Sequence, residues 1–145
     1  MADSRSISFE VILSPDKLAY QTISNTEKPS WTNLGFHMCE GCKLADTGVN
    51  HCPVAVNLQD IVTTFKSDVS YDLIDLSIET AERTYSKEQV SMQIGLSSIL
   101  GIIMVTSGCP TLDQLRPMVA THLPFASIKE SIYRAMSMYL LAQFT

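Results

Sequence analysis

The sequence lacks the features that most readily announce a function. It has no Gly-rich phosphate loop, no GxSxG nucleophile elbow and no HExxH helix. Basic charge is scarce: ten Lys and Arg stand against fifteen Asp and Glu, a net charge of −5. A nucleic-acid backbone usually needs a basic face, and no run of Lys and Arg provides one. A long apolar run is missing as well. Residues 93–106 are the most apolar stretch, but Ser97 and Ser98 interrupt it, and it is shorter than the roughly 20 residues that span a bilayer. It reads as a buried core helix. No apolar segment follows Met1-Ala2-Asp3-Ser4-Arg5, so a signal peptide is not expected. A cytoplasmic location follows from these absences, with neither membrane nor nucleic acid as partner.

Internal repeats, low-complexity tracts and blocks of like charge are absent too. At 145 residues, 46 % hydrophobic and 17 % charged, the chain reads as one folded domain, 1–145, large enough to bury a sizeable core.

What the chain does have is four cysteines in two kinds of position. Cys39-Glu40-Gly41-Cys42 is a CxxC hairpin with glycine at its turn. Cys52-Pro53 and Cys109-Pro110 are cysteines followed at once by proline. Proline suits the first turn of a helix, where its missing N–H is not needed. Both Cys-Pro pairs are therefore expected to place a thiol at a helix N-cap, where the partial positive charge favours thiolate. In a reducing cytoplasm, such cysteines serve metal binding or catalysis more often than disulfides.

The remaining pattern predicts an α+β fold. Ile7, Phe9, Val11 and Leu13 alternate with Ser6, Ser8, Glu10 and Ile12, the period of a strand. Ser14-Pro15-Asp16-Lys17 is a turn, and Leu18 to Ser24 returns as a second strand. Pro53 to Phe65 is a helix with Val54, Leu58, Ile61, Val62 and Phe65 on one stripe. Tyr71 to Thr84 holds a later strand, in which Leu76, Ile78 and Thr80 alternate with Asp75, Ser77 and Glu79. Ser86-Lys87-Glu88-Gln89 fits a capping box, predicting a long apolar helix to Ser107 that Gly108 ends. Gly95, Ser97, Ser98 and Gly101 give that helix small faces for close packing. Pro110 to Arg116 is a short helix that Pro117 kinks. Ser127-Ile128-Lys129-Glu130 is a second capping box, opening a last helix with Ile132, Ala135, Met136, Tyr139, Leu140 and Gln143 on one face. No Gly or Pro stops this helix before Thr145. The expectation is a small antiparallel sheet, an N-terminal hairpin plus one later strand, packed on about four helices, with a cysteine-rich loop.

Zinc takes four ligands from Cys and His in a tetrahedron. Cys39, Cys42 and Cys52 offer three locally. The fourth is Cys109, or His51 beside Cys52, or less favourably His37. Cys109 is preferred because it shares the Cys-Pro chemistry of Cys52 and follows Gly108. An iron–sulfur cluster is the rival occupant, since clusters are also held by four thiolates. A Cys39/Cys42 redox pair is weaker, because the residues after Cys42 are too few for the long helix of a thioredoxin-like site. A metal hydrolase would need an open coordination position, with His51 or His122 replacing a thiolate and Asp46 or Glu40 as base. No catalytic residue is assigned. His122 reads as a hydrogen-bonded helix-end histidine. Lys129, Glu130 and Arg134 read as exposed helix charges, and the methionines mostly as core filling.

The motifs Cys39-Glu40-Gly41-Cys42, His51-Cys52-Pro53-Val54-Ala55-Val56-Asn57, Thr106-Ser107-Gly108-Cys109-Pro110 and His122-Leu123-Pro124-Phe125 resemble those of an uncharacterised bacterial family of unknown function. Ser137 to Gln143 resembles its last-helix signature. The resemblance covers most of the chain from Trp31 onward. It implies a small bacterial protein, with members that continue past residue 145, and it implies no activity. Together these readings give a metal-binding, non-enzymatic protein. Its partner would be another protein or a second copy, met through Met136, Met138 and Tyr139 on the last helix.

Overall fold

A computed structural model describes residues 5–22 and 27–144. The fold is mixed α+β, with one two-stranded antiparallel sheet among the described residues. Its elements are helices α1 (Pro53–Asn57) and α2 (Gln59–Phe65), strands β1 (Leu73–Glu79) and β2 (Thr84–Ser91), and helices α3 (Met92–Thr106) and α4 (Ile128–Leu141). A 3-10 turn, Ser30–Thr32, and a long 3-10 helix, Leu112–Thr121, complete the set.

The sheet is not the expected one. The N-terminal hairpin shrinks to a single bridge, Leu13 to Tyr20, around the predicted turn at Ser14. Residues 23–24, the end of its expected second strand, lie outside the described residues. Ile7 and Phe9 are exposed and Val11 and Leu13 only half-buried, so the alternation has no fully buried face to serve. The segment instead runs as a strap across α2. Phe9 meets the Phe65 ring at 5.7 Å, and Arg5 pairs with Asp68 at 2.8 Å.

The later strand is real, and its partner comes from the stretch that the first capping box assigned to a helix. β1 pairs with β2 through Ile78–Tyr85 and Ile74–Val90. A lone strand leaves its N–H and C=O groups unpaired. With no N-terminal strand at hand, residues 84–91 satisfy β1, and that outweighs one local cap. The register shifts between Ile74 and Leu76, where Gln89 takes a φ of 52°. Both the backbone N–H and the side-chain amide of Gln89 donate to Asp75 Oδ1, at 2.9 and 3.3 Å. This is a β-bulge held by a carboxylate.

α3 therefore starts at Met92, five residues later than the capping box implied. No side chain caps it. Its first N–H groups, on Met92 and Gln93, donate to the carbonyls of Asp72 and Ser70 at 2.9 and 2.8 Å, satisfying donors that a helix start otherwise leaves orphaned. Gly108, with a φ of 84°, follows its end as expected. Of the small residues, Gly95 is used for close packing: a Cβ there would sit 2.9 Å from Leu76 Cδ2. Gly101 faces open space.

The predicted helix 53–65 is present but breaks at Leu58 into α1 and α2. Pro117 does not divide its segment; it lies inside the 3-10 helix Leu112–Thr121. α4 begins at the predicted Ser127 box and stops at Leu141, short of the expected continuation. The apolar core is small: Leu34, Ile61, Met92 and Ile103 are its buried members, with Thr32, Thr106 and Ser107 as buried polar neighbours.

Candidate metal centre

Two backbone contacts pinch the cysteine segment into a loop. Leu34 N–H donates to Asn50 C=O at 2.9 Å, and Cys52 N–H to Thr32 C=O at 2.8 Å. Between them the described hydrogen bonds of residues 35–49 are all local turns. Close ends with only local bonds inside make this an Ω-type loop. Cys39 and Cys42 share one turn near its middle, where Cys42 N–H donates to Cys39 C=O at 3.2 Å. Gly41 holds a φ of 68° there, a conformation that favours glycine. The CxxC segment thus forms a turn at Gly41, with no strand paired on either side of it among the described residues.

Cys52 lies at the loop's base and is the N-cap of α1, with Pro53 at the first helical position. Cys109 leads into the 3-10 helix less directly. Its carbonyl accepts from Asp113 N–H at 2.9 Å, while Thr111 is the N-cap. All four cysteines are free; Cys39 is exposed and the others are half-buried. Among the described residues, no three His, Cys, Asp or Glu side chains lie close enough to hold an ion. Four soft thiol donors suit zinc or an iron–sulfur cluster chemically, but they are not preassembled.

His51 has one nitrogen committed. Thr32, fully buried, donates its hydroxyl hydrogen to Pro29 C=O at 2.7 Å. Its oxygen lies 2.8 Å from His51 Nδ1. With the Thr32 hydrogen used, the bond forms when Nδ1 carries the proton. That assignment leaves the lone pair on Nε2, the arrangement a ligating histidine has when a neighbour fixes its tautomer. His37 is exposed and meets Phe36 edge-on at 5.0 Å. Asp46 and Glu40, the candidate hydrolase bases, are exposed on the same loop.

Other motif residues are structural. Asn57 Nδ2 donates to Ser107 Oγ at 3.0 Å, and Asn57 Oδ1 accepts from Thr22 Oγ1 at 2.7 Å. This chain joins the N-terminal strap, α1 and the end of α3. His122 is not the satisfied histidine that was expected. Its Nε2 is buried without a hydrogen-bond partner among the described residues, and burial, with Arg134 nearby, pushes its pKa down. It lines a cavity of about 180 Å3 with Val105, Leu115, Val119 and Arg134. Arg134, expected as an exposed charge, instead reaches in to the Met118 and Thr121 carbonyls at 2.8 and 2.5 Å. It so caps the C-terminal end of the 3-10 helix, where a cation is favoured. A basic residue one helical row from Ser131 and Met138 was the only hint in the sequence. Glu130 is exposed, as expected, but completes the Ser127 capping box.

The chain belongs to a family of domains of unknown function. The match, to the domain of unknown function DUF6901, covers residues 1–145. Comparison with curated proteins and with solved structures gives no match. Membership of DUF6901 bears out the expectation of an uncharacterised domain family and adds no activity to it. Among the described residues, no helix is long and apolar enough to cross a membrane.

Proposed function

We propose that this DUF6901 domain is a non-enzymatic metal-binding protein that docks another protein through α4. The metal is one zinc ion on Cys39, Cys42, Cys52 and Cys109, with His51 Nε2 as the substitute ligand. The observation that carries this reading is the placement of Cys39 and Cys42 on one tight turn of a loop whose base holds Cys52. Moving that turn onto its own base breaks only local bonds. Ligation would then order the loop, so metal affinity and folding would be coupled. Cys109 would tie the loop to the end of α3, and closing so long a loop is an entropic gain. Four thiolates leave zinc no open position, so the site would be structural rather than catalytic.

An iron–sulfur cluster or a redox-active Cys39/Cys42 pair is the second reading, favoured by the exposure of the free Cys39 thiol. Elemental analysis with an ultraviolet–visible spectrum on protein purified without oxygen separates these. Zinc near one per chain without visible absorbance is the expected result. Iron with visible absorbance would replace zinc by a cluster. No metal, with full thermal stability, would remove the site. A Cys109→Ser variant is expected to lose metal or melting temperature; unchanged values of both would leave the fourth position to His51.

A further inference from the structure

Helix α4 is inside out. A surface helix of a monomer turns its apolar stripe to the core. Here the side turned inward carries half-buried Ser131, Arg134, Ala135 and Met138. Outward lie Ile128 at 80 % exposure, Tyr133 at 74 % and Tyr139 at 65 %, with Ile132, Met136 and Leu140 each more than half exposed. At 3.6 residues per turn these six span an arc of about 140°. Lys129 is the one charged residue on that arc, at its N-terminal end.

The whole chain has surface to spare. It exposes 10665 Å2, whereas a folded monomer of 16.0 kDa exposes about 7,400 Å2. The nine residues outside the described ones can contribute at most about 1,400 Å2 of the difference. Roughly 1,900 Å2 per chain is left, more than twice the ~800 Å2 that each partner gives to a standard interface.

The exposed pattern is also symmetric about Met136. Ile132 and Leu140 lie one turn away on either side, and Tyr133 and Tyr139 also match; Leu141, 67 % exposed where its counterpart Ser131 is half-buried, stands outside the pattern. An antiparallel pair related by a two-fold axis sets each residue opposite its match, so an interface built this way is self-complementary. We infer that α4 packs antiparallel on α4 of a second copy, with Met136 at the two-fold axis. The inference rests on the reading of α4 as a docking face and names its occupant. Charge agrees with the orientation. Antiparallel packing carries Lys129 to the level of residue 143, just past the C-terminal end of the partner's α4, where the last carbonyls carry partial negative charge and no basic residue sits in the last turn. Parallel packing would set Lys129 beside Lys129.

The test is sedimentation equilibrium under reducing conditions on wild type, Met136→Glu, Met136→Lys and an equimolar mixture of the two variants. Wild type is expected as a dimer. Met136→Glu, which sets two carboxylates at the axis, should weaken association by at least roughly 100-fold. The Glu/Lys mixture should restore it, even if each variant alone folds poorly, because only a 136-to-136 contact pairs the opposite charges. A monomeric wild type, a Met136→Glu dimer of unchanged affinity, or a mixture without rescue would each overturn the inference. A monomer that binds an apolar dye, and loses it on Met136→Glu, would leave α4 a docking face for a different protein. A monomer that binds no dye would end the docking reading as well.

Discussion

Asn57 donates to Ser107 at 3.0 Å across fifty residues of chain, and Ser107 in turn donates to the carbonyl of Ile103 inside α3. One amide thus joins the end of α1 to the end of α3, and its oxygen still accepts from Thr22. This link lies between the two Cys-Pro segments. It positions Cys52 and Cys109 on elements that already share a hydrogen bond.

Replacing Asn57 by Leu keeps the volume but removes both bonds. Each net hydrogen bond contributes about 1 kcal/mol, and an orphaned buried partner costs more. Asn57→Leu is therefore expected to destabilise the domain by about 2–3 kcal/mol. A urea titration reads this as a lower midpoint at unchanged slope. An unaltered midpoint would show that the link carries no stability.

His122 predicts a pH dependence. Burial, then Arg134, holds its folded pKa below 6.5. The unfolded chain therefore takes up a proton first as pH falls below that value. Stability from this group is full above about pH 6.5 and drops as the pH falls from there through the folded pKa. Carboxylates contribute at low pH as well, so the comparison is with His122→Gln. The melting temperature of wild type should fall more steeply between pH 7 and pH 5 than that of the variant. Parallel curves would count against a buried neutral histidine.

Gly101 sits mid-helix in α3 with nothing within 4 Å of a Cβ built on it. Alanine there has space and better helix propensity, so Gly101→Ala should stabilise by about 0.5–1 kcal/mol. Gly95→Ala gives the contrast, because its Cβ must displace Leu76 Cδ2. Thermal melts of the two variants should separate in that order; equal gains would mean that β1 and α3 do not press together at Gly95.

Two short motifs of one form divide what is legible in the sequence from what is not. Ser127 and Glu130 make their capping box as read, with Glu130 N–H donating to Ser127 Oγ at 3.2 Å and Ser127 N–H to Glu130 Oε2 at 2.8 Å. Ser86 and Gln89 carry the same spacing and lie in a strand. A cap is a local interaction, worth about 1 kcal/mol, and sequence alone identifies it wherever nothing larger competes. At Ser86 something larger does, because among the described residues β1 has no other strand to pair with. The CxxC turn, the N-cap at Cys52, the end of α3 before Gly108 and the start of α4 were all set by residues within a turn of one another. Gly41, Pro53, Gly108 and Ser127 each act through their own backbone or that of a near neighbour, so sequence by itself determined them. The partner of β1, the reduction of the N-terminal hairpin to one bridge, the inward reach of Arg134 and the outward apolar face of α4 depend on contacts between distant segments. Periodicity reports that a helix has an apolar face but not what lies against it. Only the tertiary structure decided that the polar side of α4 meets the 3-10 helix, since Arg134 satisfies two carbonyls there from 16 and 13 residues along the chain.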